Sequence, residues 1–206
     1  MRAADLDAVT LDVYGTLVTL IDPVPELVDV LAARGVERTP ETVLSGLRAE
    51  IAHYGPRASE GRDEESLARL QLECAGVFLQ TVEADLDAGE FAPFYADALR
   101  FEVLPGVSEA LERLRALGLE LAVVGNWDLT LRDQLERVGL APLLGVVIHA
   151  AKKPAPDGLL AALSDLGVDR ARALHIGDNE VDDQAARAAG VHFAWAPVPA
   201  VVSRLE

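Results

Sequence analysis

Apolar and polar positions follow two different rhythms along this chain. From residue 104 onward, short and nearly unbroken apolar runs alternate with amphipathic stretches that end in glycine. The apolar runs Leu119–Val124, Gly145–Ile148, Ala173–Ile176 and Val191–Trp195 predict strands. The stretches Val107–Leu117, Leu129–Val138, Pro156–Leu166 and Asp182–Ala189 predict helices, closed by Gly118, Gly139, Gly167 and Gly190. An earlier run, Val9-Thr10-Leu11, reads as a strand of the same set. Apolar strands alternating with helices are the pattern of a parallel sheet covered on both faces, with right-handed crossovers.

Residues 20–101 keep a helical rhythm, interrupted by a polar break at Gly55–Gly61. Helices are predicted over Glu26–Arg34, from Thr39 to Tyr54 with Leu44, Leu47 and Ile51 at helical spacing, over Asp63–Leu79 and from Gly89 to Arg100. No strand is expected between Leu20 and Phe101. A helical block set between strands predicts an inserted all-helical subdomain at 20–101, with the α/β core formed by 1–19 and 102–206. Leu104-Pro105-Gly106 marks the return to the core.

Composition narrows the picture. The chain has 206 residues, half of them hydrophobic and a quarter charged, as in a soluble globular protein. A formal charge of −16 argues against nucleic acid and anionic membranes as partners. It also means that a site for an anionic substrate needs a local cation. The single cysteine, Cys74, excludes an internal disulfide and reads as core packing. No basic leader precedes an apolar run and no stretch is apolar enough to span a bilayer, so a cytoplasmic protein is expected.

Four of the predicted strands deliver a polar residue at or beyond their C-terminal ends: Asp12, Asn126, Lys153 and Asp178. Parallel strands bring those ends to one edge of the sheet, where such sheets bind ligands. Lys152 and Lys153 are the only lysines in the chain, arginine supplying every other positive side chain. That makes Lys153 a candidate for a compact ammonium at the site. Asp178 follows a strand directly, with Asp182 one helical turn on and on the same side. Two like charges about 4 Å apart repel by roughly 4 kcal/mol at an intermediate dielectric. Three converging carboxylates therefore need a cation, and an all-oxygen ligand set favours magnesium.

Five segments in order, Asp12-Val13-Tyr14-Gly15-Thr16, Leu104-Pro105-Gly106-Val107, Val124-Gly125-Asn126, Lys153-Pro154 and Gly177-Asp178-x-x-x-Asp182, resemble the motifs of the haloacid dehalogenase-like hydrolases. The helical block lies where that superfamily inserts its helical cap. The resemblance implies a Rossmann-like core and a nucleophilic Asp12 that forms a covalent aspartyl intermediate. It implies magnesium held by Asp12, the Tyr14 carbonyl and Asp178, with Asp182 supporting, and Lys153 neutralising nucleophile and substrate. Gly125, Asn126 and Lys153 are the implied substrate-binding positions, and Tyr14 and Asn126 join the catalytic set. Asp182 is preferred to Asp183 because Ala185, Ala186, Ala189 and Gly190 keep the family's downstream spacing. Arg48 and Tyr54 lie in a helix of the kind that carries substrate-binding residues in dehalogenase-like caps.

Two positions depart from the family's phosphatases. Tyr14 stands where they carry an acid/base Asp, as it does in 2-haloacid dehalogenases, which lack the counterpart of Asp178 and use no metal. Gly125 replaces a substrate-binding Ser or Thr, leaving Asn126 and backbone N–H groups. The expected function is a magnesium-dependent phosphatase acting on a small metabolite, as monomer or homodimer. The alternatives are a metal-independent 2-haloacid dehalogenase and a non-catalytic ligand-binding descendant. Trp127 either lines the cleft or packs a helix start. His175, mid-strand, reads as a hydrogen-bonded core residue.

Overall fold

Every residue of β1 (Ala8–Leu11) is buried, because this strand lies at the centre of a five-stranded sheet with neighbours on both sides. The computed structural model describes residues 1–206. After β1 come β2 (Val18–Leu20) and four helices, α1 (Val24–Ala32), α2 (Pro40–Tyr54), α3 (Glu64–Thr81) and α4 (Ala88–Ala98). Strand β3 (Phe101–Val103) follows, then α5 (Val107–Ala116), β4 (Glu120–Val124), α6 (Leu131–Arg137) and β5 (Val146–Ile148). The chain closes with α7 (Asp157–Leu166), β6 (Ala173–Gly177), α8 (Glu180–Ala189), β7 (His192–Trp195) and α9 (Val198–Leu205).

The large sheet has the order β5-β4-β1-β6-β7, and all its pairings are parallel. Leu11 pairs with Val123 on one side and Ile176 on the other, so the C-terminal ends of β1, β4 and β6 finish level. Two compact units result, Met1–Thr19 with Glu102–Glu206, and Leu20–Phe101. The first is α/β and Rossmann-like. The second is helical apart from the ends of β2 and β3, which pair with each other where the chain passes between the units.

Local chemistry explains the helix starts. Thr39 caps α2 by accepting from the Thr42 N–H, and Pro40 occupies the first turn, where no donor is needed. Asp63 and Ser66 form a capping box on α3. In the helical unit Phe78, Phe91 and Tyr95 pack ring to ring, with centroids 4.8 to 6.2 Å apart, inside a core that includes Leu27, Leu31 and Leu47. No helix is long and apolar enough to cross a membrane.

Four elements differ from the sequence reading. Helix α9 was not anticipated because Val198-Pro199-Ala200-Val201-Val202 is rich in β-branched residues; burial of Val198, Val201, Val202 and Leu205 overrides that propensity. Strands β2 and β3 have three residues each, too few to display a period. Helix α8 starts at Glu180, two residues earlier than expected, because Asn179 caps it and Asp182 bonds back to the cap.

Candidate active site

The level strand ends place Asp12 directly after β1, Gly125 and Asn126 after β4, and Asp178 after β6. Lys153 reaches the same edge from the loop after β5. Asp12 is held by its main-chain N–H, which donates to the Ile176 carbonyl at 2.9 Å. Beyond it the chain turns at Gly15, whose φ of +78° favours glycine. A Cβ built on Gly15 would lie 2.1 Å from Asp178 Oδ2, so the missing side chain is what lets that carboxylate approach. Gly177 does the same for Asp182, whose Cβ and Cγ would each meet a Cβ there at 2.5 Å.

Lys153 is only 6% exposed. Its ammonium donates to Asp12 Oδ1 and, at 2.5 Å, to Asp182 Oδ1. Its main chain is clamped by Asn126: the Lys153 N–H donates to Asn126 Oδ1 at 2.7 Å, and Asn126 Nδ2 donates to the Lys153 carbonyl at 2.9 Å. An amide nitrogen carries two hydrogens, so one donor of Asn126 is left for another acceptor. Lys152 is exposed, on a left-handed backbone with φ +57°.

Asp182 is 1% exposed and fully engaged: Oδ1 meets Lys153 and His175, and Oδ2 accepts from the Asn179 N–H at 3.1 Å. Asp183 instead pairs with Arg187 at 2.6 Å along α8. Trp127 is buried and its indole N–H donates to Thr130 Oγ1, packing the approach to α6. Tyr14 is 53% exposed, a large apolar side chain left in the open two residues from Asp12. Arg48 is exposed and Tyr54 half-buried on α2, in the helical unit.

The charges do not balance. Burial raises the Asp12 pKa and the Asp182 charge adds to the rise, while Lys153 opposes it. Burial also pushes Asp182 upward, but the donors His175 and Lys153 outweigh it and hold this carboxyl below its ordinary range. Asp178 is raised by burial and by the neighbouring Asp12 and Asp182 charges. One ammonium thus faces three carboxylates whose oxygens lie within 4.8 Å of one another. The arrangement can hold a hard divalent cation through Asp12 and Asp178, its donors all oxygen. Beside it opens a cavity of about 430 Å³, with Gly15, Thr16 and Asp178 on its wall.

A family model described as haloacid dehalogenase-like hydrolase matches residues 6–190, which include every residue of this cluster. The chain belongs to the haloacid dehalogenase-like hydrolases. It is 34% identical over 192 residues to a phosphoglycolate phosphatase of Cupriavidus necator, covering 89% of this chain and 78% of that protein. It is 30% identical over 205 residues to an N-acetylmuramic acid 6-phosphate phosphatase of Pseudomonas aeruginosa, covering 94% and 83%. A phosphoglycolate phosphatase of Pseudomonas syringae is 32% identical over 182 residues, which are 84% of this chain but only 64% of that one. Among solved structures, the defluorinating L-2-haloacid dehalogenase Rha0230 superposes with a TM-score of 0.72 at 20% identity, covering 95% of this chain and 84% of that one. That likeness is one of fold.

Within this family, Gly125 has a packing reason. A Cβ at this position would lie 2.7 Å from Val13 Cγ2, so Val13 occupies the space that a Ser or Thr would need. The sequence shows both residues but not their contact. It also shows His175 without its partners, Thr10 and Asp182, because pairing between strands far apart in the chain leaves no local pattern.

Proposed function

We propose that this hydrolase is a magnesium-dependent phosphatase for small phosphorylated metabolites, with Asp12 as nucleophile. The observation that carries the reading is the excess of carboxylate at the sheet edge. Asp12, Asp178 and Asp182 converge within 4.8 Å while the one buried ammonium bonds only Asp12 and Asp182, an arrangement completed by a divalent cation and a phosphoryl group. A dehalogenase displacing halide from carbon needs no third acid there. The phosphatase names of the curated relatives point the same way, and because those names differ in substrate they leave the metabolite open.

In this reading an Asp12 oxygen attacks phosphorus and the ester oxygen departs, giving an aspartyl phosphate. Water then attacks the same phosphorus, the bond from Asp12 to phosphorus breaks to release phosphate and restore the carboxylate, and the proton that water releases balances the one the departed ester oxygen takes from solvent. Lys153 offsets charge on Asp12 and on the phosphoryl oxygens, and the free Asn126 donor with nearby main-chain N–H groups orients them. Magnesium would be held by Asp12, the Tyr14 carbonyl and Asp178, with Asp182 holding Lys153 in place, and it would neutralise phosphoryl charge. The helical unit, 20–101, acts as the cap that selects substrate, with Arg48 and Tyr54 as its candidate contacts, in a cytoplasmic monomer or homodimer.

Tyr14 supports a second reading, the metal-independent 2-haloacid dehalogenase, since it stands where the family's phosphatases carry an acid/base Asp and 2-haloacid dehalogenases carry a tyrosine. One experiment separates the two. The purified protein is assayed on p-nitrophenyl phosphate and on 2-chloropropionate, with magnesium and after exhaustive chelation. Phosphate release that disappears on chelation and returns with magnesium is expected. Chloride release that survives chelation, without phosphate release, would replace the phosphatase by the dehalogenase.

A further inference from the structure

Asn126 holds the main chain of Lys153, but its ammonium is aimed by carboxylates, and one of these has a support that the mechanism above does not use. His175 lies in the middle of β6 with no exposed surface. It pairs in register with Thr10 on β1 and with Phe193 on β7, whose ring centroid is 6.2 Å away. Its Nδ1 is 2.9 Å from Thr10 Oγ1, and its Nε2 is 3.5 Å from Asp182 Oδ1, at the far limit of a hydrogen bond. The oxygen it approaches is the one that accepts from Lys153.

We propose that His175 is a positioning residue for Lys153, acting through Asp182, and that Thr10 fixes it in the neutral tautomer with the proton on Nε2. This rests on Asp12 and Lys153 forming the reactive pair. The chemistry of the partners dictates the tautomer. An ionised Asp182 can only accept, so Nε2 must carry hydrogen to face it without repulsion. In a neutral ring Nδ1 is then an acceptor, and the Thr10 hydroxyl, which can donate, satisfies it. A Thr10 hydroxyl acting only as acceptor would draw the proton to Nδ1 and leave the Nε2 lone pair against a carboxylate. Asp182 thereby receives donors from three directions, the Asn179 N–H, His175 and Lys153, which fixes its plane. A carboxylate free to rotate would take the Lys153 ammonium away from Asp12.

Two measurements test this on the full chain. The first is the long-range ¹H–¹⁵N correlation spectrum of the histidine rings in the unmutated protein, with His175 assigned by its loss in H175Q. A neutral ring protonated on Nε2 is expected, and Thr10→Val should mix in the other tautomer. An Nδ1–H ring in the unmutated protein overturns the proposal, whatever the protein hydrolyses. The second is steady-state kinetics on p-nitrophenyl phosphate at saturating magnesium. His175→Phe, which keeps the ring volume and removes both nitrogens, should lower kcat tenfold to a hundredfold while KM moves less than twofold. His175→Gln, whose amide can reach Asp182 as a donor, should recover at least a third of the unmutated kcat. H175F within twofold of the unmutated kcat, or H175Q no better than H175F, would overturn the proposal. The tautomer is read in the unmutated protein, H175Q serving only to assign the ring, so the proposal stays refutable even where H175F fails to fold. A protein inactive on phosphate esters with an Nε2–H ring would sink the phosphatase reading and support the tautomer.

Discussion

Both units of this protein bury a carboxylate, and they do so in opposite ways. In the helical unit Glu50 lies under α3 and α4, accepts from the Tyr95 hydroxyl at 3.1 Å and contacts Cys74. Its donors are the neutral Tyr95 hydroxyl and Cys74 thiol, and no buried ammonium is bonded to it. At the sheet edge, Asp12, Asp178 and Asp182 crowd together, and the one ammonium there pairs with only two of them, Asp12 and Asp182. Burial drives the Glu50 pKa upward, and taking up a proton relieves the strain within the unit itself. The sheet-edge cluster has more charge than its own residues can neutralise, with Asp178 exposed and Asp12 only partly covered. A buried acid therefore does not by itself mark a site; an acid cluster that only something from outside can complete does.

The largest expected effect comes from removing the nucleophile. Asp12→Asn relieves repulsion at the sheet edge, so melting temperature should hold or rise while hydrolysis falls by about 10⁴-fold or more, as when other nucleophiles are deleted. Turnover near the unmutated rate would remove Asp12 from the chemistry and erase the contrast between the two acids.

Lys153→Met comes next, because it leaves Asp12 and Asp182 buried without their cation. Breaking a buried pair on one side costs about 3–5 kcal/mol, roughly 6–20 °C in Tm for a chain of this size. Scanning calorimetry in the absence of divalent ions would read it. A Tm unchanged by this substitution would mean that the ammonium is not what holds the carboxylates together.

Glu50→Gln is the smallest and has the opposite sign. With its pKa raised in the folded state, Glu50 keeps a proton at pH values where the unfolded chain has lost it. Stability from this group is therefore fully present below its ordinary value of 4.5 and declines as pH rises through the folded value. A neutral glutamine avoids the decline, so E50Q should raise stability by about 1 kcal/mol at pH 7, roughly 2–4 °C in Tm, with the gain vanishing below pH 4.5. Its turnover should stay within twofold of the unmutated rate. A gain that persists at acid pH would assign the effect to packing rather than to charge.

Much was legible from order and period alone. The alternation after residue 104 carries the parallel sheet, because strands buried on both faces must be apolar throughout. The succession of helical patterns between residues 20 and 101 carries the second unit, and the ordered motifs carry the family. The candidate site residues also stand out, since a polar side chain directly after an apolar run is a local event. What contacts what was decided only in three dimensions. Asp178 can approach because Gly15 has no side chain, Gly125 leaves room for Val13, and Asp182 faces Lys153 while Asp183 turns to Arg187. Thr10 and His175 meet because β1 and β6, 165 residues apart at that pair, lie in register. Helix α9 forms because its valines find a core to enter. A chain writes its periodicity into neighbouring residues, but contacts across a sheet depend on register and close packing, which no single stretch of sequence contains.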